Sequence, residues 1–189
     1  MNIDLGQLLS LWCVRLALSA WFLFAWFALT QDKTNRLSIS AGPKWSRQVN
    51  RYRWTWGCAT ILYVAHVALA FIYFHAGSHR LAAQHVAERT FAFSGVSWSG
   101  GIWFNHAFSL LVVSEAIWWF WSPRSRWSRP PWVTRVLYGF VLFMIVNAGI
   151  IFVTGPVRWI NLIALLTLVA VALWQRRANR QPPSLHGNA

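Results

Sequence analysis

Long apolar runs alternate with short polar segments along the chain. The runs cover about residues 8–30, 54–74, 102–121, 133–153 and 159–174. Each is close to the roughly 20 apolar residues that an α-helix needs to cross a bilayer. The pattern predicts an all-α integral membrane protein with about five transmembrane helices. Residues 1–174 are expected to form a single bundle, followed by a basic, flexible cytoplasmic tail at 175–189.

Basic residues in the polar segments predict how these helices are oriented. Segment 31–53 carries six Lys or Arg residues, segment 122–135 carries four, and the tail carries three. Because Lys and Arg are retained on the cytoplasmic side, the N-terminus is expected outside and the C-terminus in the cytoplasm of a bacterial inner membrane. These segments account for most of the net charge of +13. The bilayer is therefore the expected partner, and nucleic acid is not.

The polar segment FHAGSHRLAAQHVAERT, which follows the second run, is expected on the outer side. It contains His75, His79, His85 and Glu88. Two histidines four residues apart on one helical face can bind the same metal ion. With His85 and Glu88 as further ligands, the segment predicts a site for a divalent metal.

A break in the helix is part of this metal prediction. His85 joins the other two histidines only if Gly77 interrupts the helix, and Ser78 is a candidate N-cap for a second helix from His79 to about Phe93. The alternative is an interfacial helix that covers the bundle as a lid. In that arrangement Leu81, Val86 and Phe91 face lipid, whereas His85, Glu88 and Arg89 face water.

Polar side chains inside the predicted spans provide further candidates. His66 and His106 could face each other and hold a haem by both axial positions, although haem b ranks below a divalent metal because the two depths differ. The remaining intramembrane polar or ionisable candidates are Arg15, Asn105, Glu115, Asn147 and Asn161. Such groups are costly in a bilayer and tend to face a partner or a cavity. Glu115 is interpreted as a helix-contact residue or a proton-relay group, and Arg15 as the only basic residue embedded to a comparable degree.

The middle third of the chain runs in the order RWTWGCATILYVAHVALAFIYFHAGSH, AAQHVAERT and WSGGIWFNHAFSLLVVSEAIWW. This order resembles a family of membrane proteins from planctomycete-type bacteria, which carry FxFxHxWSHxxA, HTAxxT and GGGxxxNYxF strings and an acid before a WW pair. The matching positions are His66, Phe74, His75, Ser78, His79, His85 to Ala87, Thr90, Gly100, Gly101, Asn105, Phe108, Glu115, Trp118 and Trp119. Gly77 replaces the aromatic residue of WSH, HVA replaces HTA, and NH replaces NY. The resemblance implies no activity.

Three functions remain open on the sequence. The first is a metal- or redox-associated membrane subunit with a histidine-rich outer site, which the histidine segment favours. The second is a small transporter, and the third is a structural or assembly partner in a membrane complex or a homo-oligomer. GxGxxG and P-loop strings do not occur in the sequence, and no catalytic residue is predicted.

Overall fold

The computed structural model describes residues 4–30 and 43–178, and every regular element in these ranges is helical. In chain order the helices are α1 (Leu5–Thr30), α2 (Pro43–Tyr73), α3 (His79–Ser94), α4 (Gly101–Trp121), α5 (Pro123–Trp127), α6 (Pro131–Val146), which continues into a π-helical turn (Asn147–Ile151), and α7 (Pro156–Ala178). The predicted all-α class is confirmed. Most of the first basic segment and most of the tail lie outside the described residues.

Four helical segments in the described ranges are long and apolar enough to cross a membrane. They are Leu5–Thr30, Arg47–Tyr73, Pro131–Ile151 and Pro156–Ala178. They correspond to the first, second, fourth and fifth apolar runs, so the protein is a helical membrane protein. Helix α4 is long enough at 21 residues, but it is not among the four. That α4 also crosses the membrane stays a prediction.

Apolar residues at helical spacing on four helices form one core. Its buried members are Ala17, Leu18, Trp21 and Phe24 of α1, Tyr52, Trp56, Ala59 and Tyr63 of α2, Phe108, Val112 and Trp119 of α4, and Val141 and Ile145 of α6. Steps of three or four residues put them on one face of each helix. Large Leu, Ile, Val and Trp side chains elsewhere on these helices are exposed, as expected for a surface that faces lipid.

Hydrogen bonds between α2 and α4 set how these two helices align. Trp56 Nε1 donates to the carbonyl oxygen of Val112 at 3.1 Å, and Thr60 Oγ1 donates to the same oxygen at 3.3 Å. Both donors come from α2 and converge on one carbonyl oxygen of α4. Because such bonds have no competing water in a bilayer, they act as local contacts that hold neighbouring helices in register.

A left-handed turn ends α2 and redirects the chain. Ala76 has φ 48° and Gly77 has φ 70°, and the Gly77 amide donates to the Phe71 carbonyl at 2.9 Å. The two residues are one position further apart than the pair that closes a Schellman motif, and glycine is the residue preferred at left-handed positions of helix ends. Ser78 then caps α3, which begins at His79. The predicted break and the predicted second helix are both confirmed.

Candidate functional site: a histidine-lined cavity

A cavity of about 630 Å³ lies between α1, α2, α3, α4 and α6. Five of the six histidines of the sequence line it, namely His66, His75, His79, His85 and His106. They come from α2, the turn after it, α3 and α4. The sixth, His186, lies outside the described residues. Their positions along the sequence placed only His75, His79 and His85 together. The tertiary fold brings His66 and His106 to the same cavity.

One face of α3 forms a wall of the cavity. The lining residues of this helix are His79, Ala82, His85, Val86, Arg89, Thr90 and Phe93, and their spacing places them on one side of a helix with 3.6 residues per turn. Helix α3 comes close to α4 at Gly101, where an added Cβ atom would lie 2.8 Å from Val86 Cγ1. The lid alternative was wrong only about Val86, which packs onto α4. Leu81 and Phe91 are exposed, as that alternative expected, and so are His85, Glu88 and Arg89.

Four of the imidazoles form two pairs across the cavity. The Nε2 atoms of His79 and His106 are 3.0 Å apart, and their rings are inclined by 18°. The ring centroids of His75 and His85 are 5.4 Å apart. His85 Nε2 also accepts a hydrogen bond from Arg89 Nε at 3.5 Å. The three histidines of the predicted metal set are thus divided between two pairs.

The structure does not assemble the predicted four-ligand metal site. Within the described part of the chain, no group of three or more His, Cys, Asp or Glu side chains is placed to hold a metal ion. Glu88 is exposed and is not among the residues that line the cavity. The turn after α2 rotates His79 out of the continuous-helix position relative to His75, so the spacing of four residues no longer puts the two rings side by side.

The two histidines of the haem alternative have different partners. His66 Nδ1 lies 3.0 Å from both Ser10 Oγ and the Ser10 carbonyl oxygen on α1. His106 of α4 is paired with His79 of α3. The haem prediction required these two rings to face each other. Instead His66 is bonded to α1 and His106 to α3, although both line the same cavity.

Burial and neighbouring charge keep two of the imidazoles neutral. Burial lowers the pKa of His75 below its ordinary value, and the facing His85 lowers it further. Burial also lowers the pKa of His85, with Arg89 acting in the same direction and Glu88 in the opposite one. Both rings are therefore mainly neutral at pH 7, and they can accept a proton when an anion approaches.

The three predicted asparagines divide between the cavity and the bundle interior. Asn105 and Asn147 line the cavity. Asn161 is buried on α7, and its Nδ2 atom donates to the Gly149 carbonyl of the π-helical turn at 2.9 Å. That carbonyl belongs to the last turn of its helix, where intrahelical donors run out. Asn161 is therefore a helix-contact residue.

Glu115 lies toward the other end of α4, in a buried ion cluster. Arg126 Nε donates to Glu115 Oε2 at 3.0 Å, and Arg129 Nη1 donates to Oε1. Arg126 also donates to the hydroxyl of Tyr138, and its guanidinium carbon lies 3.6 Å from the ring centroid of Trp119. This geometry matches the helix-contact interpretation of Glu115 rather than a group exposed to a pathway.

The expectation that Arg15 is the only deeply placed basic residue was wrong. Arg126 and Arg129 are 6% and 9% exposed, because α5 turns the segment after α4 back onto the bundle. Arg15 instead lies over the ring of Trp12, 5.2 Å from its centroid. The burial of these two arginines was not predicted, because the charge pattern placed them in a solvated loop. Arg89 was not predicted to line the cavity either, although it follows His85 by four residues on the same helical face.

No protein-family model, curated protein or solved structure matches this chain. The resemblance to the planctomycete-type family thus stays a prediction based on its motif positions. Many of those positions line the cavity, namely His66, His75, His79, His85, Val86, Thr90, Gly101, Asn105 and Phe108.

Proposed function

We propose that this chain is a bacterial inner-membrane protein that binds a small amphipathic molecule in the histidine-lined cavity. The observation that carries the proposal is the convergence of five histidines and Arg89 on one cavity of about 630 Å³. Core residues such as Trp21 and Phe108 form part of the same wall. A mainly apolar pocket with a few converging polar groups between the helices of a bundle is the usual form of a small-molecule site.

The proposed orientation places the mouth of this site on the outer side of the membrane. The arginine-rich segment 122–135 follows the end of α4 that is remote from α3, and Arg176 and Arg177 lie in the last turn of α7. With the N-terminus outside, both segments and the first basic segment face the cytoplasm, as retention of positive charge requires. Helix α3 and its histidines then lie on the opposite, outer side.

A cavity-filling variant tests the binding function. Ala82 lines the cavity, whereas Ala83, the next residue of α3, is not among the lining residues. Wild type, Ala82→Phe and Ala83→Phe are purified in nanodiscs, and retained small molecules are extracted and quantified per chain by mass spectrometry. We expect a retained molecule in wild type and Ala83→Phe that is lost in Ala82→Phe. Identical complements in all three proteins, with equal thermal midpoints, contradict the proposal.

A transition-metal site at His79 and His106 is the second candidate function. Their Nε2 atoms are 3.0 Å apart, so a metal ion bonded to both at about 2.0–2.1 Å would subtend an angle of roughly 95°. That angle suits a tetragonal copper or nickel site better than tetrahedral zinc. Elemental analysis is expected to find metal that is lost in His79→Gln and His106→Gln and kept in the control His85→Gln. Metal-free wild type after incubation with copper and nickel contradicts this candidate.

A further inference from the structure

The cavity is electrostatically one-sided. Among the described lining residues, Arg89 is the only Arg or Lys, and none is an Asp or Glu. Glu88, the nearest acid along α3, is exposed and lies off the lining face. Arg89 Nε is bonded to His85, and the remaining N–H groups of its guanidinium provide the planar fork that fits a carboxylate or phosphate.

The opposite part of the cavity is hydrocarbon-like. Leu18, Trp21, Phe108 and Ile145 line it and also belong to the core of the bundle. A molecule that fills the cavity thus meets a cationic and imidazole-rich region on α3 and an apolar region between α1, α4 and α6. Arg89 is itself exposed and lines the cavity, so its guanidinium is accessible to a negatively charged head group of a molecule that enters the cavity.

We infer that the ligand is an anionic amphipath, with a carboxylate or phosphate head held by Arg89 and His85 and a single hydrocarbon chain in the apolar part. This inference rests on the proposed binding function and names its ligand class. Both kinds of head group share the oxyanion that the guanidinium recognises.

Proton uptake accompanies binding of such an anion. The groups that face the head region are His66 of α2, His75 of the following turn, His79, His85 and Arg89 of α3, and His106 of α4, with Glu88 on the outer face of α3. Burial and positive neighbours hold the pKa values of His75 and His85 low. An oxyanion beside them raises both pKa values, so binding becomes tighter as pH falls from 8 to 6.

Matched probes test the charge of the ligand. Dodecanoate, dodecyl phosphate and uncharged dodecanol are titrated calorimetrically into the full chain in phosphatidylcholine nanodiscs, with protein-free nanodiscs as blank. We expect at least one anion to bind about tenfold or more tightly than dodecanol, which corresponds to one charge-assisted contact. The tighter of the two anions identifies the head group.

Two arginine variants on the same helix test the contact. Arg89→Gln is expected to weaken binding of the preferred anion by about tenfold or more and to leave dodecanol unaffected. Arg80→Gln, an exposed residue of α3 that does not line the cavity, is the control and is expected to bind like wild type. Equal binding of dodecanol and both anions, or equal losses in the two variants, overturns the inference.

Different results would contradict the binding function and the anionic ligand class. If all three probes bind equally and Ala82→Phe abolishes their binding, the cavity binds ligands and only the anionic class is wrong. If no probe binds above the blank, or if Ala82→Phe leaves binding unchanged, the binding function itself is wrong.

Discussion

Arg126 lies between an acid and an aromatic ring, with its Nε atom 3.0 Å from Glu115 Oε2. Its guanidinium carbon is 3.6 Å from the centroid of Trp119. Arg129 binds the other carboxylate oxygen, so two cations share one acid, and the buried cluster carries an excess positive charge. The Nη2 atom of Arg129 has no hydrogen-bond partner among the described residues. The cluster thus depends strongly on its single carboxylate.

Glu115→Gln is expected to destabilise the protein severely. Removing the acid leaves two buried guanidinium groups without counter-charge, a change that costs about 3–5 kcal/mol for buried ion pairs. The apparent thermal midpoint in nanodiscs measures the effect. Glu88→Gln, at an exposed position on α3, is the control and is expected to change stability by less than about 0.5 kcal/mol. Similar midpoints for the two variants would show that the ion cluster contributes little.

The turn after α2 predicts opposite effects for two adjacent substitutions. Gly77→Ala places a side chain at φ 70°, whereas Ala76→Gly removes one from φ 48°. A non-glycine residue in the left-handed region is destabilised by about 1–2 kcal/mol. Replacing it with glycine removes this strain, but the greater freedom of glycine in the unfolded state offsets about 0.4–1 kcal/mol of the benefit. Gly77→Ala is therefore expected to lower the thermal midpoint and Ala76→Gly to raise it slightly. A shift of both variants in the same direction contradicts the assigned backbone geometry.

Asn161→Leu tests the contact between α7 and the π-helical turn. The substitution removes the 2.9 Å hydrogen bond to the Gly149 carbonyl, and such interhelical bonds in membranes contribute about 0.6–1.7 kcal/mol. We expect a modest loss of stability against chemical denaturation in detergent. Thr167→Val on the same helix removes only a bond to its own helix, at Ile163, and is expected to cost less. A larger loss for Thr167→Val would mean that Asn161 does not hold the two elements together.

Acidification is expected to weaken the fold through His75 and His85. Both have a pKa that is lower in the folded than in the unfolded protein. At a pH between the folded and the unfolded pKa, the unfolded state therefore binds more protons than the folded state. The free energy of unfolding is therefore unaffected above about pH 6.5 and declines as pH falls toward the folded-state pKa values. Unfolding measured from pH 8 to pH 5 checks this. In the double variant His75→Gln, His85→Gln the decline is expected to be shallower, and an unchanged slope contradicts the assignment.

Cysteine labelling tests whether α4 crosses the membrane. In a background with Cys13→Ala and Cys58→Ala, single cysteines at Ala83 on α3 and at Ser125 on α5 are exposed to a membrane-impermeant maleimide in spheroplasts. We expect labelling at position 83 alone, because the two helices flank α4 and the proposed orientation puts the histidine side outward. Labelling at both positions, with sealed spheroplasts confirmed by a cytoplasmic marker, contradicts a crossing by α4.

Local chemistry in the sequence determined most of the secondary structure. Four of the five apolar runs correspond to helices able to span a membrane, because backbone groups in lipid must bond within their own segment and leave a long apolar run little alternative to a helix. Gly77 and Ser78 marked the break and the start of α3 correctly, since left-handed turns and N-caps depend on side chains only a few residues apart.

Only the tertiary structure decided which polar side chains meet. His79 and His106 are 27 residues apart and in contact, and Glu115 binds Arg126 and Arg129 across a short helix that the charge pattern presented as a solvated loop. Helical periodicity states which residues of one helix share a face. It does not state which helix packs against that face or at what register, because this depends on close packing at contacts such as Gly101 against Val86. The histidine-lined cavity is a product of that packing.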